Sequence, residues 1–345
     1  MFFDTFAIRE AAGVPLDNAQ SNTWLFQPKV QPGVYIFMVA LLPFLTWAVV
    51  MVLVLTSNVY FDVADSSLRT FEPDNSSNAV ALRAARWVRF LAYTLLSVLT
   101  YLVCIGWSVW VTYRMWKQAG WGWRGSGRTY LLTVVVIGLA GTLVVFDVPG
   151  MTAAKLPLEG KVLNDFVALV GQAAADARTA SSLTADLGYL AAFSLLMAVC
   201  SSLAIPRQGD LSAEAVSPTV FGTRVLAAFP FLGSALLAVS ILRTRAMMNY
   251  YAAFEATPSN GGLRGLEILA DGTATYLGIT YSLVVAGTFL PAAGLMLMRA
   301  QALRERFPEA EGELGKVDFA WLATSISILV PALVGGSDLL KGVVN

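Results

Sequence analysis

The chain has 345 residues, 57% of them hydrophobic and only 13% charged, with a mean hydropathy of +0.65. A soluble domain carries about 25% charged residues, so this composition excludes an ordinary water-soluble fold. The 23 basic and 23 acidic residues cancel and give no specific nucleic-acid signal, and the lack of histidine removes the commonest metal ligand and the usual neutral-pH proton shuttle.

Seven apolar stretches follow one another, at 34–56, 90–113, 129–146, 187–205, 225–242, 272–298 and 319–337. Each holds about 18 to 27 residues, enough for a helix to cross the roughly 30 Å hydrocarbon core of a bilayer. None has an ionisable side chain in its interior. The sequence therefore predicts an all-α integral membrane protein, a polytopic helical bundle of about 6–7 transmembrane helices, some extended beyond the bilayer. Residues 1–33 read as an N-terminal interfacial arm and 34–345 as a single transmembrane helical domain, since no connection is long enough for a comfortable independent domain.

The arm carries Phe2, Phe3, Phe6, Trp24 and Phe26, which suit the head-group level, and ends in the turn Gln31-Pro32-Gly33. Asp4, Glu10 and Asp17 are foreign to a basic signal-peptide start, so the first apolar segment is expected to be retained. Beyond it, Ser and Asn residues can cap a helix starting near Asn78. That helix should stand about two to three turns clear of the membrane, with Arg83, Arg86 and Arg89 along it. The next connection is short and basic, with Arg114, Lys117, Arg124 and Arg128, and places the N-terminus inside. The arginines at 83, 86, 89, 243 and 245 pull the other way. A plasma membrane or a bacterial inner membrane is the expected location.

Residues 147–186 contain a helical pattern through Val162, Phe166, Leu169, Val170 and Ala173, followed by a Ser/Thr-rich run at 179–184. Asp186 is placed to cap the fourth span and complement its dipole. A polar turn around Pro206 and Pro218 leads into the fifth span. This one should continue past Arg243 and Arg245 to Phe254 and reverse at Pro258-Ser259-Asn260-Gly261-Gly262. Residues 299–318 mix acids and bases and read as a solvated helical hairpin. Pro331, Gly335 and Gly336 make the seventh segment a candidate for a re-entrant or interfacial element.

Two small-residue stripes, Ser194/Ala198/Ser202 and Gly278/Ser282/Ala286, allow close helix approach, either within the fold or between copies. Pro43, Pro230, Pro291 and Pro331 fall inside spans, where proline removes a backbone hydrogen bond and bends a helix, so they are candidate gating or kink positions. Cys104 and Cys200 read as small buried hydrophobes.

No zinc-type cluster, nucleophile elbow, P-loop or dinucleotide-binding glycine pattern occurs, so the chain is expected not to be an enzyme and to use neither cofactor nor metal. The absence of charge inside the spans disfavours ion-coupled transport. The expected function is an oligomeric ligand-gated pore or channel-like protein. Its anionic ligand or lipid head group would be held by Arg83, Arg86, Arg89, Arg243 and Arg245, whose guanidinium groups suit phosphate. Without charged residues, the lining falls to hydroxyls: Thr46, Ser97, Thr100, Tyr101, Thr275, Thr280, Tyr281 and Thr288. The alternative is a non-catalytic subunit or scaffold of a larger membrane complex, and a transporter comes third. The expected partners are the lipid bilayer, further copies or other membrane subunits, and an anionic small ligand or lipid.

Overall fold

The computed structural model describes residues 39–42, 45, 76–119, 172–203, 216–254, 265–310 and 327–336. Within them every regular element is helical: α1 (Ser77–Ala119), α2 (Gln172–Leu203), α3 (Val216–Ala252), α4 (Gly265–Arg306), a 3-10 turn (Pro308–Ala310) and α5 (Val330–Gly335). The first four are long and apolar enough to cross a membrane. They match the second, fourth, fifth and sixth expected spans. Of the first span only 39–42 and 45 are described, the third lies outside the described residues, and of the seventh only 327–336 are described.

These helices outlast the apolar runs at their centres. The 43 residues of α1 measure about 64 Å at 1.5 Å per residue, roughly twice the hydrocarbon thickness. Its start is where the cap residues place it, with Ser76 Oγ accepting the Ala79 N–H at 3.3 Å. Three expectations need correction here. The Ser/Thr-rich run and Asp186 lie inside α2, so Asp186 does not cap a helix start. Thr184 Oγ1 turns back on its own helix, donating to the Ala180 carbonyl at 2.7 Å, while Ser181 points across to α3, and neither breaks α2. Pro218 belongs to the first turn of α3, where the missing N–H has no intrahelical acceptor anyway. Pro331 likewise sits in the first turn of α5 and is no interior kink, whereas Pro230 and Pro291 do fall inside continuous helices.

Side-chain pairings set the helix directions. Tyr101 meets Gly188 and Thr112 meets Ser201, so α1 and α2 run parallel. Arg86 reaches Asn249, Ser97 reaches Val239 and Trp110 reaches Phe221, so α3 runs against α1. Gly222 lies at Met296 and Arg245 at Asp271, so α4 runs against α3. The small stripe of α2 is spent in this core: Ala198 packs with Val111, Met115, Phe221 and Val225, and Gly222 lies against Ser202. Tyr101, Leu195, Leu226, Phe229, Phe289 and Met296 fill the centre of the bundle.

The stripe on α4 receives α5. A Cβ on Gly278 would lie 2.5 Å from the Pro331 carbonyl oxygen and 3.2 Å from the Gly335 Cα, so the two backbones touch. Two α4 hydroxyls hold the ends of α5. The Ala332 N–H, which has no acceptor within so short a helix, donates to Ser282 Oγ at 3.1 Å, and Thr275 Oγ1 donates to the Gly335 carbonyl at 3.1 Å.

Candidate functional site at one end of the bundle

Because of these directions, the start of α1, the start of α2, the end of α3 and the start of α4 gather at one end of the bundle, here called the cap. The cap has its own apolar centre, built from Phe90, Met247, Met248, Tyr250, Tyr251, Leu266 and Leu269. The tilted Trp87–Tyr250 ring pair at 5.1 Å and the edge-on Tyr250–Phe254 pair at 5.4 Å extend it.

Ionic chemistry surrounds that centre. At the end of α3 the Tyr250 and Tyr251 carbonyls accept from the Ala253 and Phe254 N–H groups, and α1 supplies donors to carbonyls on either side. Arg86 Nη1 donates to the Asn249 carbonyl at 2.7 Å, and Arg83 Nε to that of Ala253 at 3.4 Å, with its guanidinium 4.5 Å from the Phe254 ring centroid. Arg86 also forms an ion pair with Glu267 in the first turn of α4, where a carboxylate complements the helix dipole. One turn further along α4, Asp271 accepts from Arg245 Nε at 2.9 Å and Nη2 at 2.7 Å.

The five arginines expected to share one anion are thus brought to the same end but not into one ring. Arg83 and Arg86 stitch α1 to the α3 end and the α4 start, Arg245 joins α3 to α4, and Arg89 is exposed. Arg243 differs from them all. It is 6% exposed, it donates from Nη1 to the Ser181 carbonyl of α2 at 2.9 Å, and its buried Nε has no hydrogen-bond partner. Ser181, itself buried, donates its hydroxyl only to the weak acceptor Met247 Sδ, at 3.2 Å.

The sequence reading missed Glu267 and Asp271 as partners. Their i, i+4 spacing just before an apolar run was a usable sign of an acidic face on α4.

Six of the eight candidate pore hydroxyls make hydrogen bonds within the bundle. Thr100, Thr280 and Thr288 donate to the carbonyls four residues back, those of Leu96, Tyr276 and Val284. Ser97 is fully buried and lies between the Tyr93 and Val239 carbonyls, while Tyr101 Oη is 2.6 Å from Ser240 Oγ. Thr275 holds α5, and Tyr281 packs at the edge of the Ile241, Ala274 and Leu277 cluster. Thr46 and Pro43 lie outside the described residues. Both cysteines are buried and unbridged.

At the far end, Arg114 sits 4.3 Å from the Phe221 ring centroid and 5.4 Å from that of Trp110, where a guanidinium can stack on aromatic faces. Among the described residues no group of His, Cys, Asp or Glu side chains could hold a metal ion.

Comparison with protein-family models, curated proteins and solved structures finds no match to this chain. What fold and cap define is therefore a class: an integral membrane helical bundle with an ion-paired extension at one end.

Proposed function

We propose that this chain is a non-catalytic subunit of a membrane assembly, joined to further copies or to other membrane helices through the outer face of α1. One observation carries the reading. The apolar window of α1 is only 28% buried, against 56% for α3. Leu95, Leu99, Leu102 and Val109 stand exposed along the open face, and Ala92 and Gly106 lie among them. Small residues among large apolar ones let a neighbouring helix approach closely, and in lipid that packing drives association. The hydroxyls of Ser97, Thr100, Tyr101, Thr275, Thr280 and Thr288 are already bonded inside the chain, which also supports a packing role. In the proposed orientation the N-terminus is inside, a reading supported by the basic 114–128 connection.

Native mass spectrometry and pull-down in mild detergent test the proposal. A homo-oligomer or a stoichiometric partner is expected, and Gly106→Trp should dissociate it. A Cβ at Gly106 meets nothing within 4 Å, so helix content should not change. A monomer without partner overturns the reading.

A second reading, an oligomeric ligand-gated pore, draws support from the meeting of four helix extensions in the cap, where one ligand would act on several spans together. Pro230 and Pro291 would then serve as bending points. Ligand-dependent conductance in planar bilayers would select it over the first.

A further inference from the structure

Arg243 is a guanidinium whose charge no carboxylate among the described residues answers. It follows directly on the uncharged run 225–242 of α3, at the level where the apolar core gives way to the cap. An arginine at that height commonly snorkels outward to head groups. This one points inward against α2 and keeps 6% of its surface exposed. Among the described residues it has no carboxylate partner, and its single hydrogen bond goes to a backbone carbonyl. A buried cation without a counter-charge is costly, and a buried N–H without an acceptor adds to that cost. Arg245, two residues further along α3, and Arg86 of α1 both meet carboxylates, so acids were at hand in the cap.

The adjoining hydroxyl is under-used as well. Ser181 gives its carbonyl to Arg243 and its O–H to Met247 Sδ, a poor acceptor that a stronger one would displace. Met247 lies one turn beyond Arg243 on the same face of α3. The seam between α2 and α3 thus holds two donor groups with spare capacity and one uncompensated positive charge.

We propose that Arg243 and the Ser181 hydroxyl bind one phosphate-type oxyanion in this seam, presented either by an anionic lipid head group or by a free phosphate. The guanidinium supplies charge and a forked pair of donors, and the hydroxyl turns from the thioether to a phosphate oxygen. Along α2, Arg178 stands three residues before Ser181, Asp176 five before it and Asp186 five beyond it, and Asp186 is half-buried. It makes no ion pair with Arg243 in this structure and opposes an anion by its charge.

The test uses the full chain, stripped of lipid in detergent and titrated with phosphatidylglycerol or phosphatidylcholine while native mass spectrometry counts retained lipids. Thermal stability with inorganic phosphate is read in parallel. The wild type should retain phosphatidylglycerol in preference to phosphatidylcholine, or melt higher with phosphate; the first result identifies a head group and the second a free anion. Arg243→Gln should lower that retention or shift at least tenfold. Arg243→Lys keeps the charge and should bind at an intermediate level, which preserves a readout if the glutamine variant folds poorly. Ser181→Ala should weaken binding, Arg89→Gln should not, and Asp186→Asn should leave it equal or tighter. Equal binding by wild type and Arg243→Gln overturns the proposal, as does loss of binding in Asp186→Asn. The oligomeric state appears in the same spectra as a separate mass, so failure of the subunit reading remains distinguishable.

Discussion

At the scale of single residues, the glycines divide into those that carry the fold and those that do not. Gly278 and Gly335 face each other across the α4–α5 contact, and a methyl group on Gly278 would strike backbone atoms that cannot rotate away. Gly278→Ala should therefore destabilise the protein by about 1–3 kcal/mol or more, as overpacking does. Gly294, in the same helix, has nothing within 4 Å of a built Cβ. Gly294→Ala should be neutral or stabilising by up to about 1 kcal/mol through helix propensity. Thermal unfolding of the two variants in one detergent checks the contrast, and equal melting of both would contradict the contact. The Gly278/Ser282 spacing was legible as a close-packing face, but its partner was not. A stripe of small residues states that something approaches without stating what, and α5 lies about 50 residues further along the chain.

At the scale of elements, the cap is a set of helix ends completed by other helices. Arg86 satisfies an orphan carbonyl of α3 and the Glu267 carboxylate of α4 together, with both side chains less than 20% exposed. Arg86→Gln should cost about 1.5–3 kcal/mol, the range for hydrogen bonds to charged groups, and should couple to Glu267→Gln in a double-mutant cycle. The Arg245–Asp271 pair is more open, with Asp271 37% exposed. Its coupling should stay below about 1 kcal/mol after solvent screening. Chemical or thermal unfolding of both cycles tests the order, and a stronger Arg245–Asp271 coupling would refute it. The start of α1 was readable because Ser76 and the arginine stripe are local signals. The role of that stripe was not. Three arginines at helical spacing look alike in sequence, yet one is exposed, one stacks on Phe254 and one bridges two other helices. Asp186 misled for a related reason: an acid before an apolar run marks a helix start only if the helix has not already begun, and α2 begins at Gln172.

At the scale of the whole molecule, α1 and α2 run in the same direction, so the chain must return from one end of the bundle to the other between Ala119 and Gln172. The apolar segment 129–146 falls in that interval, outside the described residues. Impermeant maleimide labelling tests the arrangement. Arg89 in the cap and Lys117 at the far end are both exposed, and Cys104 and Cys200 are fully buried, which keeps the background low. Arg89→Cys and Lys117→Cys should label from opposite sides of the membrane, with Arg89→Cys external in the proposed orientation. Labelling of both from one side would contradict the bundle. The alternation of long apolar and polar stretches made the helical class legible from composition and segment length. The pairing of helices was not, because spans of similar hydropathy carry no label for their neighbours.

The ion pair between Arg86 and Glu267 spans 181 positions of sequence. During synthesis at about 5–20 residues per second, the arginine waits roughly 10 to 40 s for its acid to be made. Until α4 emerges, Arg86 can reach the α3 carbonyl of Asn249 but has no Glu267 carboxylate to balance its charge. A chain cut short before Gly265 would keep the backbone acceptor of Arg86 and lose its carboxylate, leaving an unbalanced charge as the mark of the truncation.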